Sequence, residues 1–295
     1  MNRRQWIAYS GRLTFGAMGL SNVLKNLKPS LLHPVVFIGH GSPMNAIEDN
    51  VFSRGMKAMG RQLAKPQLIL VVSAHWETSG VQITAMPNPR TIYDFGGFPD
   101  ALYHVQYLAP GAPEFANQSC KAWQLYNVHP NYTWGLDHGA WSVLRNMFPE
   151  ADIPVVQLSL NTNWNASTHF EFSRELKALR SKGVLILGSG NIVHNFSYMN
   201  FDALHPGDFN FPYAHDWAVE ANETLKYWIK NSQVSDLCNY NIGNTALKRA
   251  IPTPEHYLPL LYTLGVLEPH ESVQFFNDQI IAGAFSMTSF ISKEF

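Results

Sequence analysis

Residues 68–76, with the sequence LILVVSAHW, form the stretch that decides the fold. A short, continuous apolar run of this kind is typical of a strand that is buried on both faces of a sheet. Comparable runs precede His40 in VVFIGHGSPM and His194 in VLILGSGNIVHN, and glycines there permit a sharp turn after each strand. Because the carboxyl ends of parallel strands meet at one edge of a sheet, we expect His40, His75 and His194 to lie close together.

The chain after Pro34 alternates between short β-branched runs and longer stretches with apolar residues at three- and four-residue spacing. This alternation predicts a single α/β domain, with a mainly parallel or mixed central sheet flanked by helices and a metal site at the carboxyl ends of the strands. The predicted strands are 35–38, 67–73, 81–85, 153–160, 184–188, 273–276 and 284–290. The predicted helices are 50–64, 113–126, 140–148, 168–181, 214–231 and 256–264.

Composition narrows the classes of partner. The chain has 295 residues, of which 46% are hydrophobic and 15% charged, so it can bury one large core. Its formal net charge of −1 predicts no general attraction to nucleic acid or to anionic membranes and favours a small-molecule substrate. Cys120 and Cys238 form no C-x-x-C pair, which argues against a cysteine-based metal or redox site.

Residues 1–33 are predicted to be an extension that precedes a catalytic domain over residues 34–295. Arg3 and Arg4 precede a mildly apolar stretch that resembles a twin-arginine export signal, although Arg12 interrupts it and no A-x-A cleavage pattern follows. We therefore expect a cytoplasmic protein, with periplasmic export by the twin-arginine route as the alternative. No other segment approaches the ~20 apolar residues of a membrane span, and the sequence leaves the oligomeric state open.

The strand-end histidines predict a metal site. His256, in PTPEHYLPL, is the fourth candidate ligand, and Thr253 is predicted to cap a helix that begins near Glu255. Imidazole binds zinc, iron, copper and nickel, so the ligand type alone does not choose the metal. A neutral ligand set leaves a divalent ion with its full charge, which favours an anionic chelating substrate.

Several blocks of sequence resemble the class III extradiol ring-cleavage dioxygenases, and most closely their 4,5-DOPA branch. The blocks are GHGSPMNAIEDN, VVSAHWET, TIYDFGGFPDALY, LDHGAWSVL, GSGNIVHN and PTPEHYLPLLY, in the same order from about Pro34 to the C-terminus. The resemblance implies that His40, His75 and His256 hold the metal, while His194 either completes the ligand set or acts as an acid/base. His138 of LDHG corresponds to a second-sphere histidine and is the other candidate catalytic residue.

Glu255 is the nearest carboxylate alternative to His256. In a helical turn, neighbouring side chains diverge by about 100°, so we expect only one of these two residues to bind the ion.

The resemblance also implies the reaction. An Fe(II) enzyme of this family inserts both atoms of O2 into a catechol and forms a ring-opened semialdehyde, and Zn(II) is able to occupy the same site in the isolated protein. The predicted substrate-binding residues are Tyr93, Asp94, Phe95 and Trp76, with Asp94 as the partner of a substrate ammonium group. Two alternatives stay open: a zinc hydrolase that uses the same histidines, and a non-catalytic protein that binds metal or catechol.

Asp137 has two possible roles in the sequence. It either orients a histidine or caps the following helix, and its position directly before a predicted helix favours the cap.

Overall fold

The fold is built on strands that are nearly all apolar. A computed structural model describes residues 22–200 and 210–294. Its strands are β1 Val35–Gly39, β2 Leu68–Thr78, β3 Val81–Thr84, β4 Val128–Asn131, β5 Val155–Asn161, β6 Val184–Gly190, β7 Glu271–Phe276, β8 Ile280–Ile281, β9 Phe285–Ser286 and β10 Ser289–Glu294. Eight of them form one mixed sheet in the order β4-β3-β5-β2-β6-β1-β10-β7, and β8 pairs with β9.

Helices connect these strands. The α-helices are Val51–Gln62, Asp100–Tyr103, Pro113–Ala122, His138–Met147, Ala166–Ser173, Asp216–Lys230, Val234–Cys238, Thr245–Ala250 and Leu258–Gly265, and the 3-10 helices are Pro43–Ala46, Gln124–Tyr126, Arg174–Lys182 and Phe196–Tyr198. The predicted α/β class, with a mixed central sheet flanked by helices, is therefore confirmed.

The sheet has a hydrophobic core on each of its two faces. Val35 and Phe37 of β1 belong to one core, whereas Val36 and Ile38 belong to the other. Successive side chains of a strand point to opposite faces, so a strand that is covered on both sides has to be apolar throughout. This explains why the strands appear in the sequence as continuous runs without alternation.

The parallel strands β2, β6 and β1 are neighbours, and this arrangement creates the site. β6 pairs in parallel with β1 up to Gly39 and Gly190, and with β2 up to Ser73 and Ser189. The three carboxyl ends therefore meet at one edge of the sheet.

Several details differ from the sequence prediction, and the short helices Asp100–Tyr103, Val234–Cys238 and Thr245–Ala250 were not predicted. His75 lies within β2, which continues to Thr78, because β2 extends past its last pair with β6 and pairs again with β5. Strand β4 was missed because it is short, contains Pro130 and is only partly buried. The predicted strand 284–290 is divided into β9 and the start of β10, and the predicted helices 113–126 and 168–181 each change to 3-10 geometry in their second half.

A buried ion pair connects the 3-10 helix Arg174–Lys182 to strand β7 at the antiparallel side of the sheet. The Arg180 side chain is fully buried, and its guanidinium donates to both carboxylate oxygens of Glu271. It also donates to the backbone oxygens of His33 at 2.9 Å and Val266 at 2.6 Å. Burial alone would raise the pKa of Glu271, but the hydrogen bonds from Arg180 and from the Glu268 backbone lower it overall.

Some predictions concern residues outside the described part of the chain. The twin-arginine-like residues 3 and 4 and the apolar stretch up to residue 21 lie there, so the division at residue 33 and the export route stay predictions. Between residues 22 and 294, leaving aside 201–209, no helix is long and apolar enough to cross a membrane.

Candidate metal centre

Five histidines from distant parts of the chain converge at the edge of the sheet. Within the described residues, potential metal ligands form two groups, one of His40, His75 and His138 and one of His194, Glu255 and His256, with ligand atoms within 4.8 Å of one another in each group. The groups adjoin, because the ring of His256 lies 5.3 Å from that of His40 and 5.0 Å from that of His75. The four predicted metal ligands, which are His40, His75, His194 and His256, therefore lie in one cluster.

His40 is held by the end of β6. Its backbone N–H donates to the Gly190 oxygen at 3.1 Å, and its Nδ1 lies 3.0 Å from the Ser189 hydroxyl. That hydroxyl uses its single proton to donate to the Gly139 oxygen at 2.6 Å, so it accepts a hydrogen bond from Nδ1–H of His40. His40 is therefore the Nδ1–H tautomer, and its Nε2 carries a free lone pair.

His75 and His138 share a carboxylate. The Asp94 Oδ2 atom lies 3.0 Å from Nδ1 of His138 and 3.4 Å from Nδ1 of His75, and its Oδ1 accepts the His138 backbone N–H at 2.8 Å. Burial alone would raise the pKa of Asp94, but the hydrogen bond and charge of His138 lower it overall. An ionised carboxylate only accepts, which leaves Nε2 of His138 free.

Asp137 caps the helix His138–Met147, as predicted. Its Oδ1 accepts the Ala140 N–H at 3.1 Å and the Ser73 hydroxyl at 2.7 Å, and Gln157 donates to its Oδ2. Burial, and secondarily the charge of Asp94, raises the pKa of Asp137 to about 6. This network fixes the start of the helix against β2 and β5, and so fixes the position of His138.

His256 lies in a turn that is pressed against the end of β6. A Cβ atom at Gly190 would meet the His256 oxygen at 2.1 Å, so only glycine permits this approach. The helix begins at Leu258, and Thr253 does not cap it; its hydroxyl donates to Glu255 Oε1 at 2.8 Å. The same oxygen lies 3.2 Å from Nδ1 of His256. The predicted divergence of Glu255 and His256 is therefore wrong, because both lie in a turn rather than on a helix.

His194 occupies the outer side of His256. The two rings are stacked, with their centres 3.5 Å apart and their planes inclined by only 9°. Phe285 and Phe196 pack against His194 with ring centres at 4.5 and 4.9 Å. Burial lowers the pKa of His194 to about 4.

The donor atoms fit a metal ion. Nε2 of His40 lies 3.1 Å from Nε2 of His75. Both rings are neutral, because burial and the neighbouring histidines lower the pKa of His75 to about 3 and hold that of His40 well below its usual value. Two nitrogen ligands at about 2.1 Å from one ion, at 90–110° to each other, lie roughly 3.0–3.4 Å apart. Neutral imidazoles at this spacing are what a cation requires.

The predicted substrate-binding residues lie in different surroundings: Phe95 packs beside His138, whereas Trp76 packs against another tryptophan. Phe95 packs edge-on against His138, with ring centres 5.5 Å apart, and against Tyr93 at 6.2 Å. The Trp76 ring is buried and stacks on Trp134 at 5.4 Å. Contact of Tyr93, Asp94, Phe95 and Trp76 with substrate stays a prediction.

Comparison with known proteins decides the family. Residues 34–282 match the family described as the catalytic LigB subunit of aromatic ring-opening dioxygenase. The chain belongs to this family. Among curated proteins it is similar to the 4,5-DOPA dioxygenase extradiol of Escherichia coli K12, with 44% identity over 87% of this chain and 93% of the relative. It is also similar to the protein of the same name from Beta vulgaris, with 36% identity over 86% and 94%.

Comparison with a solved structure supports the same family and fold. The crystal structure of an uncharacterized protein from Escherichia coli K12 superposes with a TM-score of 0.74 at 38% identity, and the match covers 88% of this chain and 99% of that one. The resemblance to class III extradiol dioxygenases is thus confirmed, and this LigB-family chain is a ring-opening dioxygenase that uses O2 and a small molecule. The family and the histidine cluster together indicate a metal cofactor.

Sequence reasoning missed the groups behind the ligands in this LigB-family site. Ser189 behind His40 and the network of Ser73 and Gln157 around Asp137 are all fully buried polar residues on strands. A polar residue inside an otherwise apolar strand run is the signal that could have found them, since a buried polar group needs a partner.

Proposed function

We propose that this chain is an Fe(II)-dependent extradiol dioxygenase that opens a catechol ring next to its two hydroxyl groups. The observation that carries the proposal is the equal spacing of His40, His75 and His256. Their ring centres are 5.0, 5.3 and 5.0 Å apart, and their planes are inclined by 51°, 52° and 89°. Imidazoles that bind one ion at about 2.1 Å, at 90–110° to one another, have ring centres roughly 4.6–5.4 Å apart. All three pairs meet this condition.

The other two histidines do not meet it. His138 lies 3.9 Å from His75 and 5.7 Å from His40, outside this range on both sides. His194 is parallel to His256, and an ion bound by an imidazole lies close to the plane of its ring. Because parallel planes do not meet, one ion cannot lie in both. This supports the role of His194 as an acid/base beside the metal rather than as a ligand.

A bound Fe(II) ion would supply the redox chemistry that allows O2 to react with an aromatic ring. The protein supplies the proton transfers. His138 holds its Nδ1 proton against Asp94 and presents Nε2 as the acceptor for a substrate hydroxyl proton. His194, kept neutral by burial, is the second group able to take a proton and return it. Phe95, Phe196 and Phe285 beside these histidines provide an apolar wall for an aromatic substrate.

DOPA is the first substrate to test, since similar proteins from Escherichia coli and Beta vulgaris are named for it. Its cleavage would give a ring-opened semialdehyde. The apoprotein should be loaded with Fe(II) without oxygen and then exposed to air with DOPA, simple catechols and resorcinol, while O2 uptake and a new yellow absorption are recorded. We expect one O2 consumed for each catechol opened and none with resorcinol, whose hydroxyl groups are not adjacent.

A zinc-loaded sample is the matched control. Zinc accepts the same nitrogen ligands but has no accessible redox states, so it should bind and consume no O2. Hydrolysis of esters or amides by the zinc form, with no O2 uptake by the iron form, would refute the proposal in favour of a zinc hydrolase. Catechol binding without turnover by the iron form would refute it in favour of a non-catalytic binding protein.

A further inference from the structure

The Asp94 carboxylate contacts two histidines of different predicted function. One oxygen, Oδ2, lies 3.0 Å from Nδ1 of His138 and 3.4 Å from Nδ1 of His75, while the other oxygen accepts the His138 backbone N–H at 2.8 Å. Within the described residues, every hydrogen bond and ion pair of Asp94 goes to one of these two histidines. The Asp94 side chain is 17% exposed, so little water competes for it.

A carboxylate in this position decides the tautomer of each ring. It accepts the Nδ1–H of His138 in a hydrogen bond, and its negative charge 3.4 Å from Nδ1 of His75 favours the Nδ1–H tautomer there too, so that each Nε2 is left as a lone-pair donor. For His75 this is the nitrogen that lies 3.1 Å from Nε2 of His40. For His138 it is the nitrogen left free to accept a proton. Carboxylates behind metal-binding histidines act in this way, and their loss weakens metal binding about 10–100-fold.

Asp94 also belongs to the aromatic loop, which we define as residues 93–105. Its neighbour Tyr93 donates to the Val105 oxygen at 2.7 Å, and its neighbour Phe95 packs against His138. Through Asp94, the loop is connected to His138 by hydrogen bonds and to His75 by a 3.4 Å contact between the carboxylate and Nδ1. Metal binding that fixes the position of His75 should therefore also restrict the motion of the loop.

This inference rests on the proposed function. We propose that Asp94 is a positioning residue that holds His75 for the metal and His138 for the substrate at the same time. By contacting both histidines, it couples metal binding to the order of the aromatic loop. The assignment differs from a role in binding a substrate ammonium group. It gives Asp94 an effect on metal affinity when no substrate is present.

The test is metal affinity, measured on the apoprotein by competition for Zn(II) with a chromophoric chelator. Asp94→Asn replaces one acceptor oxygen by an NH2 group that cannot accept Nδ1–H. We expect its Zn(II) affinity to fall about 10–100-fold, with Asp94→Glu recovering part of the loss because it keeps a carboxylate. Asp100→Asn is the matched control, since Asp100 is exposed on the same loop and the change removes the same charge.

A second readout tests the coupling. Hydrogen–deuterium exchange in residues 93–105 should slow on Zn(II) binding in the wild type and in Asp100→Asn, and should change much less in Asp94→Asn. If Asp94→Asn fails to fold, the comparison of Asp94→Glu with the wild type decides. Zn(II) affinity within about twofold of the wild type in both Asp94 variants, or equal loop protection in all proteins, would overturn the proposal. Neither measurement involves catechol or O2, so failure of the proposed function alone leaves the result unchanged.

Discussion

Gly139→Ala should damage the metal centre without removing any ligand. A Cβ atom at Gly139 would lie 2.5 Å from the Ser73 hydroxyl and 2.9 Å from Cδ2 of His75. Ser73 cannot turn away freely, because it donates to Asp137 at 2.7 Å and accepts the His75 N–H at 3.3 Å. The added methyl group therefore has to displace the His75 ring, the helix that begins at His138, or both.

The expected magnitude follows from this crowding. Overpacking of a rigid site costs about 1–3 kcal/mol of folding stability, which for a protein of this size lowers the melting temperature by about 2–10 °C. Metal sites tolerate errors of only about 0.2 Å in ligand distance. A shift of His75 by the several tenths of an ångström needed to relieve the contact should therefore weaken Zn(II) binding at least about tenfold.

The assay compares thermal unfolding and Zn(II) competition for Gly139→Ala and Gly96→Ala. The second variant is the matched control, because a Cβ atom at Gly96 would meet nothing within 4 Å. We expect Gly96→Ala to keep the wild-type metal affinity. Unchanged melting temperature and unchanged metal affinity in Gly139→Ala would refute the close packing of His75 on this helix and, with it, the reasoning about how the centre is held.

Three further predictions follow from the same structure. His40→Ala and His75→Ala should lose bound metal by elemental analysis, whereas His138→Ala should keep the metal and lower kcat; retention of metal by His40→Ala would contradict the ligand assignment. Glu271→Gln should lower the free energy of unfolding by about 3–5 kcal/mol at neutral pH, because it leaves the buried Arg180 without its charge partner. A loss below about 1 kcal/mol in urea unfolding would show that the ion pair is dispensable. Arg180 lowers the pKa of Glu271 in the folded state. The difference in unfolding free energy between the wild type and Glu271→Gln should therefore be complete above the ordinary glutamate pKa of ~4.3 and disappear as the pH falls through the lowered value. A difference that persists at the acid limit would contradict this linkage.

The strands that build the site could be predicted from the sequence, because burial on both faces makes each one an uninterrupted apolar run. The runs before His40, His75 and His194 belong to β1, β2 and β6. Strand β4 had no such signal, since Pro130 and its partial exposure give it the composition of a loop. The start of the last helix was also misplaced, because Pro254 and Glu255 suit a first helical turn and the chain instead makes a separate turn before Leu258.

The candidate site could be predicted only in part. Histidines that follow strand runs stand out one by one, and family resemblance adds His138. The pairing of Asp94 with His138 joins residues 44 apart in the chain, and nothing in the local sequence distinguishes it from a substrate contact. Likewise, the parallel stacking of His194 on His256 depends on side-chain rotamers. Long-range pairing and rotamers are set by tertiary packing, which a local pattern does not contain.

The central claim is that His40, His75 and His256 bind one metal ion through Nε2 while His194 and His138 stand beside it. It is tested most directly by a crystal structure of the metal-loaded protein with anomalous scattering at the metal edge. We predict a single anomalous peak about 2.0–2.3 Å from Nε2 of these three histidines, with His194 still parallel to His256 and not bound. A peak held instead by His194, Glu255 and His256, or two separate peaks, would contradict the account.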